Sequence, residues 1–263
     1  MPDVIKVDRP APHVLRLLIN RPDKRNAVDQ ATRQGLLEAL TRAQSDAECR
    51  GVVLGGVEGI FSAGGDLPTM VGLSEPEARE RMRHGHQLCR LVMGSRVPIV
   101  SAAEGVCAGA AVGLALLGDY IVVGRKSRFL FPFLRLGLVP DWGLLRTVPE
   151  RVGLAAARKL FMSGHTLTGE EAAQIGLADD YVGDGDVMAA AVSRASAMTK
   201  LSPQAYIRTK KRLLEPSASF NQELQREEND QTELLLGPDF CEGYAAYTEK
   251  REPVFDAARD SLP

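Results

Sequence analysis

The segment from 97 to 117 constrains the fold more tightly than any other part of the chain. It is the most apolar run in the sequence, but Glu104 interrupts it and Gly and Ala fill much of it. A membrane span needs roughly 20 predominantly apolar residues without such a break. The run therefore reads as a buried strand, residues 98–103, followed by a buried helix over 108–118.

The flanking sequence repeats the pattern. Short alternating segments at 4–7 and Val14–Ile19 lead into the turn-rich Asn20-Arg-Pro-Asp-Lys-Arg-Asn26. Helix periodicity follows over 29–45, with Leu36, Leu37, Leu40 and Ala43 on one face. A strand at 51–55 runs into a glycine-rich loop ending at Asp66. Ser74-Glu-Pro-Glu77 is a capping box with proline in the first turn, and it opens a helix that reaches Gly94. Residues 119–123 form a strand again. Alternation of this kind predicts stacked β/α units rather than a bundle or a sandwich.

Strand signals stop after Asp186, while Thr168-Gly-Glu-Glu171 and Ser202-Pro203 mark further helix starts. A boundary near Lys200 separates a core, residues 1–200, from a helical region, 201–263. The net charge of −2 gives no field to gather nucleic acid or an anionic membrane. Cys49, Cys89, Cys107 and Cys241 are scattered without a C-x-x-C pair, so they read as reduced thiols and not as a disulfide frame or a zinc site. The opening MPDVIKVDRPAP lacks the layout of a signal peptide. Together these features predict a cytoplasmic protein with no metal.

Two loop-to-helix junctions carry the chemistry. The first is Phe61-Ser-Ala-Gly-Gly-Asp-Leu67, after the strand at 51–55; the second is Glu104-Gly-Val-Cys-Ala-Gly-Ala-Ala-Val-Gly113, after the strand at 98–103. Neither fits G-x-G-x-x-G or the P-loop pattern, so nucleotide-phosphate readings lose support. Small residues let a ligand approach the main chain, and a helix start offers unpaired N–H donors. Two such donors on one oxygen form an oxyanion hole, worth about 3–4 kcal/mol per donor. Close packing of helix on strand is the plainer explanation for either loop alone.

These loops, together with Leu18-Ile-Asn-Arg-Pro-Asp-Lys-Arg-Asn-Ala27, Gly164-His-Thr-Leu-Thr-Gly-Glu-Glu-Ala-Ala-Gln-Ile-Gly-Leu177 and Glu242-Gly-Tyr-Ala-Ala-Tyr-Thr-Glu-Lys-Arg-Glu-Pro-Val-Phe255, resemble the enoyl-CoA hydratase/isomerase (crotonase) superfamily nearly end to end. The resemblance implies an α/β spiral of ββα units, with a helical C-terminal region that builds trimers or hexamers. It implies an acyl-CoA thioester as substrate, so coenzyme A arrives with the substrate and no separate cofactor is expected. By position, the oxyanion-hole amides fall on Gly65 and Ala110. The second site is commonly Gly in the family, but Ala can occupy a helix start without positive φ, so the donor survives. Lys24, Arg25, Ala27, Ala63, Asp66 and Leu67 match segments that line coenzyme A. Tyr247 and Lys250 match C-terminal positions that reach coenzyme A, of their own or a neighbouring subunit. A surface or packing role is the alternative for each of these side chains.

The family's hydratases hold a water between two glutamates, and the resemblance places those positions at Gly113 and Phe133. Both carboxylates are missing, so the paired acid–base machinery of hydration is lost while the enolate site remains. One acid does appear where some isomerases of the family carry theirs: Asp141, in Leu136-Gly-Leu-Val-Pro-Asp-Trp-Gly143. A double-bond shift needs one base that removes a proton and returns it. Leu138, Val139, Trp142 and Phe133 predict an apolar pocket that would raise the Asp141 pKa toward a useful range. The competing reading makes Asp141 a helix N-cap.

His86 supports an alternative. Its position resembles the catalytic His of 4-chlorobenzoyl-CoA dehalogenases, in which an Asp at the place of Asp141 is the nucleophile. His84, two residues away, argues instead for a wet helix face. His13 and His165 read as ordinary strand and loop residues. A third possibility is a catalytically silent acyl-CoA-binding member.

Overall fold

The computed structural model describes residues 3–255. The chain divides into two compact units, 1–196 and 197–263. In the first, β1 (Ile5–Ala11) and β2 (Val14–Ile19) form an antiparallel hairpin, and α1 (Gln30–Ser45) follows the turn-rich loop. Asp29 caps α1, its side chain accepting the Thr32 N–H. Next come β3 (Gly51–Gly56), α2 (Glu75–Met93), β4 (Ile99–Ala102), β5 (Val106–Ala108), α3 (Ala110–Leu116), β6 (Tyr120–Val123) and β7 (Arg128–Leu130). The unit continues through α4 (Leu144–Ser163), β8 (Leu167–Thr168), α5 (Gly169–Gln174) and β9 (Asp180–Tyr181) into α6 (Val187–Met198), whose last two residues fall past its boundary.

Two sheets organise these elements. The larger has the order β1-β2-β3-β4-β6-β9, and every pair after the opening hairpin is parallel. The smaller has the order β5-β7-β8. Each turn of the chain lays a strand on the large sheet, touches the small one and returns through a helix. The runs β4-β5-α3 and β6-β7-α4 are complete examples. A third is looser: after β3, Ser62 makes a single parallel bridge to Cys107 of β5 before α2 begins. This is the spiral of ββα units, and it is a mixed α/β fold.

Burial follows from this layering. Strand β3 is buried at every residue, because helices cover both faces of a parallel sheet. Helix α3 is equally buried, so residues 97–117 form a core strand and a core helix, with β5 between them. That short strand, like β7 and β8, has no counterpart in the sequence reading. Among the described residues, no helix is long and apolar enough to cross a membrane.

The second unit is helical: α7 (Pro203–Leu214), α8 (Phe220–Leu235) and α9 (Pro238–Glu249). Ser202 and Ser219 cap α7 and α8 through their side chains. Arg208 and Arg212 of α7 both reach Asp230 of α8, each at 2.9 Å. Leu213, Leu236 and Phe240 remain exposed.

Candidate functional site

The two glycine loops lie side by side because backbone hydrogen bonds join them. Phe61 N–H donates to the Glu104 carbonyl at 2.8 Å, Ser62 N–H to Val106 at 2.9 Å, and Ala108 N–H returns to Ser62 at 3.1 Å. Gly64 has φ +88°, and a Cβ there would stand 2.4 Å from the Ala108 carbonyl oxygen and 3.7 Å from the Ala110 nitrogen. Only glycine fits that approach.

The first loop is also bridged to Val28. Val28 N–H donates to the Gly64 carbonyl at 2.7 Å, and Asp66 N–H donates to the Val28 carbonyl at 3.2 Å. In extended backbone, alternate groups point to opposite sides, so the Gly65 N–H is turned away from Val28. In the second loop, Gly109 (φ +54°) donates to Leu130, and Ala110 takes the first position of α3. A first-turn amide has no acceptor inside its own helix. Gly65 and Ala110 line one cavity of about 380 Å³. Two amides free to face one cavity can hold an oxygen as it gains negative charge.

Asp141 lines the same cavity. One of its carboxylate oxygens is shielded from solvent and, among the described residues, has no hydrogen-bond partner. Burial dominates its ionisation and pushes the carboxyl up to about 6, against the opposing pull of its own backbone N–H and of Arg81. The N-cap reading fails: Gly143, at φ +81°, caps α4, and Asp141 contributes only its main-chain carbonyl to the Leu144 N–H. Cys89 of α2 feels the same carboxylate, and burial together with Asp141 pushes its thiol up to about 12, so it stays protonated.

Apolar groups complete the wall. Phe133 and Trp142 are buried and line the cavity, as does the more exposed Leu138. Val139 does not belong with them: it is 65% exposed and faces outward. Trp142, at φ +50°, is wedged between two glycines. A Cβ built on Gly113 would stand 2.6 Å from the Trp142 Cβ, and one on Gly85 would stand 3.0 Å from its Nε1. The space that a longer side chain at 113 would need is filled by Trp142.

The turn-rich opening is stitched to the first loop. Ala63 N–H donates to the Arg25 carbonyl at 2.9 Å, and buried Asn26 sends its Nδ2 to the Val57 and Ile60 carbonyls at 3.0 and 2.6 Å. Lys24 and Arg25 are exposed and Ala27 is buried. The Asp66 carboxylate is taken by Arg21 at 3.0 Å, and Leu67 is half-exposed. Tyr247 lies exposed on α9 of the second unit, and Lys250 ends that helix at φ +55°. His86 is exposed on α2, whose cavity-lining residues are Ala78, Arg81 and Met82. The dehalogenase reading therefore lacks its second group at the cavity wall. Among the described residues, no cluster of three His, Cys, Asp or Glu side chains is placed to hold a metal.

Sequence reasoning missed Asn26, Arg33, Arg81 and Met82. For Arg81 and Met82 a signal existed: Ala78, Arg81, Met82 and Gly85 fall at i, i+3, i+4 and i+7, which is one helix face.

Comparison with known proteins agrees with this architecture. The family model for enoyl-CoA hydratase/isomerase matches residues 11–258. The 2,3-dehydroadipyl-CoA hydratase of Escherichia coli is 32% identical over 92% of this chain and 94% of its own. A trans-2-decenoyl-[acyl-carrier-protein] isomerase from Streptococcus mutans is 28% identical over 92% and 94%. An enoyl-CoA hydratase crystal structure from Bacillus anthracis superimposes with a TM-score of 0.91 at 25% identity, over 97% of this chain and 99% of that one. With a family match that spans nearly its whole length and a fold to go with it, this chain belongs to the enoyl-CoA hydratase/isomerase family.

Proposed function

We propose that the chain is an acyl-CoA isomerase that moves a double bond through a thioester enolate, with Asp141 as the proton shuttle. The observation that carries this reading is the single carboxylate, one oxygen unpartnered, in the cavity that Gly65 and Ala110 also line. In a 3-enoyl thioester, ionised Asp141 takes the proton from C2. The C2–H electron pair moves into the C1–C2 bond and the carbonyl π electrons go to oxygen, where the Gly65 and Ala110 amides hold the charge. As the carbonyl re-forms, the double bond settles between C2 and C3, and protonated Asp141 delivers its proton to C4. No water is consumed.

Lys24 and Arg25, exposed beside Ala27, Ala63, Asp66 and Leu67, suit the phosphates and nucleotide of coenzyme A, while Tyr247 and Lys250 reach the coenzyme A of their own or a neighbouring subunit. Deuterium exchange tests the reading. Incubated in heavy water with 3-enoyl-, 2-enoyl- and aryl-CoA thioesters, the protein should incorporate deuterium into the enoyl substrates and convert the 3-enoyl to the 2-enoyl isomer. Tight acyl-CoA binding with no incorporation from any substrate would leave a silent binding protein instead.

The exposed Leu213, Leu236 and Phe240 of the helical unit favour burial between subunits. Light scattering should report a trimer or hexamer, and a stable monomer at micromolar concentration would refute the assembly.

A further inference from the structure

Arg33 lies in the first turns of α1 and is only 4% exposed. Its Nε is sealed from solvent and, among the described residues, has no acceptor. Arg81 of α2 lines the same cavity. Burial first, and then the neighbouring Arg81, depress the Arg33 guanidinium, against the weaker pull of Asp29. Of the acids close by, Asp141 pulls most strongly on Arg81, ahead of Asp66 and Asp29, and Asp141 is the proposed base. Asp29 and Asp66 share Arg21, at 3.2 and 3.0 Å, and Asp29 also accepts from Thr32 at 2.8 Å. Arg81 donates from Nη1 to Thr69 Oγ1 at 3.2 Å, which neutralises no charge. Arg33 thus keeps a buried Nε without an acceptor among the described residues, and a buried cation left so is costly in a largely apolar cavity.

We infer that Arg33 and Arg81 receive a carboxylate at the far end of the substrate's acyl chain, so that the preferred substrates are short ω-carboxyacyl thioesters. This rests on the reading that the cavity holds the acyl group of a thioester. The guanidinium fork matches carboxylate geometry with paired hydrogen bonds. The pair also lies close to the thioester end: a Cβ on Gly65 would stand 3.3 Å from Arg81 Nη2. A diacid of five or six carbons lies wholly within the one cavity that the two amides and both arginines line. The phosphates of coenzyme A do not, because the whole pantetheine arm separates them from the thioester carbonyl.

Titration calorimetry on the full chain, with saturated thioesters that cannot isomerise, tests this without turnover. Glutaryl-CoA and adipyl-CoA should bind at least ~10-fold more tightly than pentanoyl-CoA and hexanoyl-CoA, the scale of a charge-assisted hydrogen bond. Arg33→Met and Arg81→Met should erase that preference and leave the neutral thioesters within ~3-fold of wild type, since a group the neutral acyl chain never pairs with contributes little to its binding. Ligand-free Arg33→Met should melt no lower than wild type, because it removes a buried unpaired charge. Equal affinities in the wild-type protein would overturn the proposal before any variant is made. So would a preference that survives both substitutions. Equal weakening of all four thioesters that disappears with their dephospho-CoA forms would also overturn it, by assigning the arginines to a phosphate. Failure of the deuterium experiment leaves this binding preference untouched, so the two readings fail separately.

Discussion

Asp141→Asn is expected to slow double-bond migration at least ~100-fold, the usual scale of a lost general base. Asparagine keeps the size and planarity of the side chain but cannot take a proton. Acyl-CoA affinity should barely change, because the Gly65 and Ala110 amides and the loop at 24–27 are untouched. The melting temperature supplies the control. A carboxyl raised from 3.8 to about 6 favours the folded state while it is neutral, and that contribution is lost as the pH climbs through about 6. At pH 8 the native enzyme carries a buried carboxylate that the Asn variant lacks, so the variant should melt no lower than wild type. A variant that turns over at the wild-type rate would place the base elsewhere.

In the proposed mechanism the same group sets the pH dependence. Only ionised Asp141 can accept the C2 proton, so the rate should be level above about 6 and fall tenfold per unit below it. His86→Ala should leave this profile unmoved, since His86 is exposed on α2 and away from the lining residues. If His86→Ala instead traps a covalent adduct on Asp141, visible by intact mass, the dehalogenase chemistry is the right one.

Local signals made much of the fold legible. Asp29 and the capping boxes at Ser74–Glu77 and Thr168–Glu171 fix helix starts through interactions only three residues long, so the sequence alone carries them. Strands β5, β7 and β8 have three residues or fewer, too few to show a period, and they exist because the small sheet pairs them. The site divides the same way. Gly64, Gly65 and Ala110 sit in loops whose composition marks them, and Asp141 stands out as a lone acid among apolar neighbours. Trp142 filling the space over Gly113 and Gly85 depends on three segments meeting, and no spacing in the chain announces it. The approach of Arg33 to Arg81 is of the same kind: each reads as an ordinary helix-surface cation until α1 and α2 pack together.

Hydration of 2-enoyl-CoA should be at least ~10³-fold slower than isomerisation of a matched 3-enoyl thioester, because each lost acid–base role typically costs ~10²–10⁴-fold. Hydration needs a water fixed beside C3 and a group that protonates C2. Neither residue at the positions matched to the hydratase glutamates can supply these. Gly113 has no side chain, and Phe133 puts an apolar ring next to Gly109, a Cβ on which would lie 3.9 Å from its Cζ. Restoring one acid should not rescue the reaction. Gly113→Glu would have to displace Trp142, whose Cβ and carbonyl oxygen stand 2.6 and 2.9 Å from the new Cβ, so loss of fold is expected before gain of activity. Asp141 alone would have to act as both base and acid toward a water that nothing else holds. The donor amides would still permit slow exchange of the C2 proton. Absorbance of the conjugated thioester separates the cases: with catalytic enzyme the band should grow from the 3-enoyl substrate and stay constant with crotonyl-CoA. Rapid loss of the band from crotonyl-CoA would mean that a water-holding pair operates in this cavity without either glutamate, and the isomerase reading would fall with it.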